Sequence, residues 1–466
     1  MSVVADMPAA ELRRRIGARE LSVVDVVEAC LDRVGRQNGT VNALVTLNPR
    51  ALDEAREIDR LLARGERPGP LCGLPVGIKD VTPVAGLRTT YGSPIYADHV
   101  PAEDALVVRR LRQAGAVVLG KTNCPEFAAG ANTFNDVFGR TRNPWDLSKS
   151  AGGSTGGGAA ALASGMIALA EGTDLGGSLR IPASFCGVVG LRPSIGLVPT
   201  HPTDWTWDTL EVSGPMGRTV EDVALMLQVM AGPSPLSPFA RSMTGRDFVE
   251  AVRAGVGRGL RVAYCPDVAR IGIEADIERV CREAAQGLRG ADIEVEEVDL
   301  DFAYARPAFL AIRGLWFVAH MHPRLDQLAR FGLNVSANLQ SGLQTTTLDL
   351  ADAEAARGRL WHQCRDLLSR FDHLLTPCTA VAPFPVEQSY PDYVAGQTMS
   401  TYVDWIAPTF VLSLTGLPIA SVPCGLDAGG LPVGVQIVGR PGDEEGVLAL
   451  AAQIQRDHPL GAPHGI

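Results

Sequence analysis

Apolar positions in the first 65 residues recur at helical spacing. LSVVDVVEACLDRV starts with Ser22 and has Asp25 three residues on, a capping-box-like start ahead of an apolar stripe. NPRALDEAREIDRLLARG reads as a further helix ending at Gly65, so residues 1–65 are expected to be helical. From LCGLPVGIKD onward the texture changes to strands and turns. PAEDALVVRRLRQAGAVVLGKTN predicts a helix, a glycine stop and a short buried strand over 116–119. RTVEDVALMLQVMAG predicts another capped helix, with Thr219 and Asp222 in the capping positions. GPSPLSPFA, 232–240, is the best linker candidate. LRVAYCPDV and IEVEEVDL predict strands flanking a helix over 275–287, and 305–375 reads as mainly helical. PIASVPCGL and LPVGVQIVGR predict two strands around a Gly-Gly turn, followed by a last helix. The alternation argues for an α/β sheet sandwiched by helices. No internal repeat is visible.

Composition narrows the class. The chain has 466 residues, 46% hydrophobic and 20% charged, the profile of a globular protein with a large core. A net charge of −10 argues against a nucleic-acid surface and against a polybasic membrane anchor. MSVVADMPAAELRRRIG lacks the pattern of a signal peptide. The longest small-apolar run, 156–170, is broken by Ser164 and Gly165, so no membrane span is expected. Nine dispersed cysteines without a C-x-x-C pair fit a reduced compartment better than a disulfide framework or a zinc cluster. A cytoplasmic protein is the expectation.

The 42 basic residues include three lysines, Lys79, Lys121 and Lys149. Lys79 ends an apolar, strand-like run. Burial there would lower its pKa and make it a general base, the alternative being a buried pair with Asp80. Adjacent strand residues point to opposite faces, which makes that pairing awkward. Lys121 is expected in a structural ion pair, and Lys149 solvated or ion-paired. Two glycine-serine loops compete for the chemistry. SAGGSTGGGAAALASG lacks the Lys-Ser/Thr of a phosphate loop but matches G-x-S-x-G through Gly152, Ser154 and Gly156. That pattern needs a histidine base, and His201, His320, His322, His362 and His373 sit in no telling motif. In EGTDLGGSLR, Gly176 and Gly177 before Ser178 would turn consecutive amides toward one point, as in an oxyanion hole. A plain turn capped by Ser178 is the alternative. Asp174 and Arg180 flank the loop, where an ion pair between them could clamp its shape.

Together Lys79, Ser154 and Ser178 resemble the amidase signature family. GLPVGIKD, GKTNCPEFA, GGSTGGGAAALASG, GTDLGGSLRIPASFCGVVGLRPSIGLVP, SGPMGRTVEDVALML and TGLPIASVPCGL…GLPVGVQIVGR are each similar to family segments. The similarity is dense over 70–230, returns after 405, and is sparse over 240–400. The resemblance implies a single domain over 1–466 with a mixed central sheet covered on both faces by helices. Its parts would be a helical segment 1–65, a core 70–230, a variable, mainly helical middle 240–400, and strands and a helix over 405–466. It implies Ser178 as nucleophile, Ser154 after a cis peptide bond as proton shuttle, and Lys79 as base. The amides of Leu175, Gly176, Gly177 and Ser178 would form the hole, with Thr155, Asp174 and Arg180 in support. Thr155 stands where a second serine is usual, and Leu175 where threonine is frequent. The implied activity is hydrolysis of a small carboxamide without metal or cofactor. Phe127, Trp205, Trp207, Trp316 and Phe317 are candidate walls for an apolar or aromatic acyl group. Alternatives are the glutaminase component of a tRNA-dependent amidotransferase, a non-catalytic binding relative, and a Ser154–His–Asp hydrolase. A homodimer is the expected assembly.

Overall fold

The computed structural model describes residues 2–288, 292–463 and 466. Both capping boxes close as hydrogen-bonded pairs. Ser22 accepts from the Asp25 amide at the start of the helix Val23–Val41, and Thr219 from the Asp222 amide ahead of Val220–Met230. A third box, Thr346 with Asp349, opens the long helix Thr347–Arg370. The N-terminal segment departs from all-helical, because a strand, Leu44–Leu47, lies within it. Asn38 Oδ1 accepts from the amides of both Ala43 and Leu44 at 2.9 Å, and Asn42 takes the left-handed conformation that ends helices. The chain turns there and pairs antiparallel with Val117–Thr122.

Eleven strands form one mixed sheet. In spatial order they are Leu44–Leu47, Val117–Thr122, Pro75–Lys79, Leu169–Asp174, Val212–Gly217, Val189–Arg192, Ile419–Leu426, Pro432–Val438, His373–Pro377, Leu260–Tyr264 and Ile293–Glu297. Pro75–Lys79 runs parallel to both its neighbours, and Leu260–Tyr264 to both of its own. The remaining pairings are antiparallel. The central strands are buried at nearly every position, as a sheet covered on both faces requires. The helix Ala275–Gly287 and its two flanking strands lie where the sequence pattern puts them. Residues 232–240 hold no helix or strand but lie against the body: Gly232 donates to Leu197 O at 2.9 Å, and Arg241 just beyond donates to Gly196 O at 3.1 Å. All nine cysteines are free thiols. Among the described residues no helix is long and apolar enough to cross a membrane.

A buried charge cluster fixes the loop that leaves the strand Leu169–Asp174. Arg180 grips Asp174 through Nε–Oδ2 and Nη2–Oδ1, each 3.0 Å. Arg192 donates to the carbonyl of Asp174 and reaches Oδ1 at 3.3 Å. All three side chains are fully buried. Arg180 also donates to Thr409 O, Gln436 Oε1 and Ser413 Oγ, which ties the loop to the C-terminal third of the chain. Burial alone would raise the Asp174 pKa, but the two guanidiniums outweigh it and hold the carboxyl well below the usual range. Asp174→Asn leaves buried positive charge uncompensated. It should lower unfolding free energy by about 3–5 kcal/mol, read from the denaturant midpoint. Asp174's folded pKa is depressed, so its stabilisation is complete above the unfolded value of about 3.9 and is lost as pH falls toward the folded value. The Asn variant should lack that share of the acid loss.

Candidate active site

Lys79 ends a strand held between Val117–Thr122 and Leu169–Asp174. Its side chain is fully buried. Nζ lies 2.7 Å from Ser154 Oγ, 2.9 Å from Thr173 Oγ1 and 3.4 Å from the Thr173 carbonyl. Among the described residues no carboxylate lies within 4.0 Å of Nζ. Burial lowers the Lys79 pKa, and more distant groups, including Glu171 and Asp174, pull the other way without undoing it. Asp80 turns elsewhere and accepts from the Thr90 hydroxyl at 2.5 Å, so the Lys79–Asp80 pairing does not form.

Ser154 is also fully buried and follows a cis peptide bond with Gly153. A Cβ on Gly153 would lie 2.9 Å from the Ala131 carbonyl carbon, so this close approach needs glycine. Thr155 joins the two serine loops. Its amide donates to Ser178 O at 3.2 Å, and its hydroxyl faces the Thr173 carbonyl at 3.4 Å. None of the five singled-out histidines hydrogen-bonds to Ser154, whose hydroxyl meets Lys79 instead.

Ser178 is half-buried and lines a cavity, and its hydroxyl has no hydrogen-bond partner among the described residues. Gly177 beside it adopts φ +126°, and a Cβ there would come within 2.3 Å of Thr409 Oγ1. The four amides expected in one hole divide. Gly177 N–H donates to Asp174 Oδ1 at 2.9 Å and is not free. The amides of Leu175, Gly176 and Ser178 meet no acceptor among the described residues. Leu179 N–H completes the grip on Asp174 at 3.1 Å.

A narrow cavity of about 40 Å³ opens over Ser154, Ser178, Leu175 and Gly176. It shares Phe127, Thr173, Glu211 and Trp316 with a wider cavity of about 480 Å³. Trp205 borders the wide cavity and Phe317 the narrow one. Trp207 belongs to neither. It is 66% exposed, with its ring edge-on to Phe239.

Of the other lysines, Lys121 differs from expectation. Lys121 lies inside the strand Val117–Thr122, fully buried, and donates to Thr82 O. The expected ion pair is absent, because the strand carries Nζ to a carbonyl, and burial lowers its pKa to about 8. Lys149 is half-buried on the short strand Asp146–Ser150. Sequence reasoning missed Thr173, Glu211, Arg192 and Arg313. For Thr173 the signal was a polar i, i+2 pair with Glu171 on a buried strand. Both reach Lys79, since Glu171 accepts its main-chain N–H at 3.2 Å. Burial and the neighbouring Asp208 push the Glu211 carboxyl up.

The Amidase family model matches residues 25–448. An acylamidase of Rhodococcus erythropolis is 35% identical over 460 residues, covering 97% of this chain and 96% of its own. A glutamyl-tRNA(Gln) amidotransferase subunit of Carboxydothermus hydrogenoformans is 35% identical over 479 residues, covering 97% of both chains. Among solved structures, a bacterial aryl acylamidase of the amidase signature family superposes with TM-score 0.91 at 27% identity, over 97% of this chain and 96% of that one. A family model spanning most of the chain, and full-length relatives above 30% identity, make this protein a member of the amidase signature family and a hydrolase of amide bonds.

Proposed function

We propose that the protein hydrolyses a small carboxamide, with an apolar or aromatic portion, through an acyl-ester on Ser178. The observation that carries the reading is the 2.7 Å contact between Lys79 Nζ and Ser154 Oγ, fully buried and with no carboxylate among the described residues within 4.0 Å of Nζ, in the loop pair that also holds the free Ser178 hydroxyl. Ser178 Oγ attacks the carbonyl carbon. Its proton passes to Ser154 Oγ, while the Ser154 proton passes to the neutral Lys79 amine. The N–H groups of Leu175, Gly176 and Ser178 receive the negative charge that develops on oxygen, each such donor being worth roughly 3–4 kcal/mol. Reverse passage of the proton to the leaving nitrogen accompanies C–N cleavage and frees ammonia or an amine. Water then attacks the ester, giving a proton toward Lys79; as the ester C–O bond breaks that proton returns through Ser154 to the Ser178 oxygen, and the acid released ionises to carboxylate. Asp174 and Arg180 hold the loop, and Thr155 links it to the Ser154 turn. The aromatic walls of the wide cavity support the apolar or aromatic preference.

A second reading, the glutaminase component of a tRNA-dependent amidotransferase, is favoured by the identity to the Carboxydothermus protein. Ammonia release from glutamine alone, by protein that co-purifies with further subunits, would select it. Turnover of aliphatic or aromatic amides by the isolated chain selects the first.

Ser178→Ala and Lys79→Ala should each lower kcat/KM for amides at least about 10³-fold, and a serine-reactive phosphonate should label Ser178. Near-normal turnover in either variant, or an adduct on Ser154, overturns the assignment. Protonated Lys79 cannot accept a proton, so activity should rise with pH through its lowered pKa and level off where the amine is neutral. That rise should lie below the roughly 10.4 of ordinary lysine and be missing from the residual activity of Lys79→Ala.

A further inference from the structure

Three arginines among the described residues are less than a tenth exposed: Arg180, Arg192 and Arg313. The first two share Asp174 as counter-ion. Arg313 has none, since no carboxylate among the described residues lies within 4.0 Å of its guanidinium. It sits midway along the helix Arg306–Met321, interrupting the apolar run FLAIRGLWFV, and is 7% exposed. One terminal nitrogen donates to Asn338 Oδ1 and the other to the Tyr402 hydroxyl. The Phe317 and Tyr402 rings lie 4.8 and 5.3 Å from its central carbon. Asn338 Nδ2 donates to the same Tyr402 oxygen at 3.0 Å and to Asn334 O at 2.6 Å. The guanidinium is therefore held in place, and its Nε–H has no acceptor among the described residues.

The Tyr402 hydroxyl accepts from both Arg313 and Asn338, and its own hydrogen finds no acceptor among the described residues. Arg313 and Tyr402 both line the narrow cavity that contains Ser154 and Ser178. The carboxylate that also borders it, Glu211, is beyond ion-pair reach of Arg313. A desolvated cation beside an unused hydroxyl donor, both preorganised and without an anion, is a poor arrangement for stability and a good one for binding a carboxylate.

We infer that Arg313, with Tyr402, is the specificity group for the acyl part of the substrate and binds a carboxylate there. The favoured substrates are then amides whose acyl chain ends in a second, ionised carboxyl group, such as monoamides of dicarboxylic acids. This deepens the amidase reading and rests on Ser178 marking the reacting end of the same cavity. Arg313 is a binding residue in this account and takes no part in proton transfer.

Two measurements test it. In the first, Ser178→Ala protein is titrated calorimetrically with the monoamides of malonic, succinic, glutaric and adipic acids, and with the simple aliphatic amides of matching length. At least one monoamide should bind roughly a hundredfold tighter than its neutral counterpart. Adding Arg313→Met should reduce that ratio at least about tenfold, and Arg313→Lys should restore part of it. Equal binding of charged and neutral amides, or an unchanged ratio in Arg313→Met, overturns the inference. In the second, the ratio of kcat/KM for the same pairs is read in wild type, together with competitive inhibition by dicarboxylates against monocarboxylates. This needs no Arg313 variant to fold. The preference for charge should appear in KM more than in kcat, and its absence again overturns the inference. Ser178-dependent turnover of neutral amides without a carboxylate preference removes this inference alone. Carboxylate-selective binding without Ser178-dependent turnover of the amides removes the Ser178 reading and leaves the anion site standing.

Discussion

In the proposed reaction Lys79 can take a proton only while its amine is neutral, and the surroundings of Nζ are what keep it so. Every close partner is a hydroxyl or a carbonyl oxygen: Ser154, Thr173 Oγ1 and Thr173 O. None carries a charge that would lock the ammonium form in place, while full burial withholds the water that would otherwise solvate it. The arrangement depends on the sheet. Parallel pairing with Leu169–Asp174 brings Thr173 beside the strand end at Lys79. The same strand then runs directly into the loop that bears Ser178.

The charge cluster one residue further on does the opposite job with different residue types. Asp174 must stay ionised to hold two main-chain amides and two guanidiniums, and it is surrounded by groups that secure its charge. Taking up the Gly177 and Leu179 N–H groups fixes the loop's direction. The Leu175, Gly176 and Ser178 N–H groups are left over for the oxygen of the proposed intermediate. Fixed donors of this kind cost no reorganisation when charge develops, which is the physical basis of the stabilisation assigned to them. The use of arginine for permanent charge and lysine for a titratable amine runs through the chain. Of its three lysines, Lys79 and Lys121 are buried on neighbouring strands with lowered pKa values.

What the sequence made legible follows from how local each signal is. Capping boxes span four residues and amphipathic helices a few turns, so Val23–Val41, Val220–Met230 and Ala275–Gly287 could be read directly. The glycine-rich loops were legible because bare backbone beside a hydroxyl has few uses other than close approach and amide donation. The misses depend on contacts distant in sequence. Asn38 turning the chain into the edge strand Leu44–Leu47 is a side-chain event invisible to periodicity. Lys121 meets Thr82 O from 39 residues away instead of an acid. The Gly177 amide could be counted as a hole donor only until Asp174 Oδ1 was seen beneath it. Arg313 did break an apolar helical run, a local signal, but its meaning lies in the absence of a counter-ion, which no stretch of sequence displays.

The two cavities, which share part of their lining, give the proposed reaction a direction. The acyl group stays covalently attached to Ser178 through the second half of the cycle, whereas the amine must leave and water must enter. The narrow cavity, with Ser154, Ser178 and the donor pair Arg313 and Tyr402, therefore suits the part that stays. The wide, aromatic-lined cavity suits the part that departs. Phe127, Thr173, Glu211 and Trp316 border both, so the scissile bond would lie where they meet. Glu211 gives that junction a carboxyl group, pushed up by burial and Asp208 and beyond ion-pair reach of Arg313. A carboxylate product held at Arg313 and an amine leaving by the wide cavity would thus separate to different sides of that junction. Such a separation keeps the departed amine from returning to the ester before water reaches it.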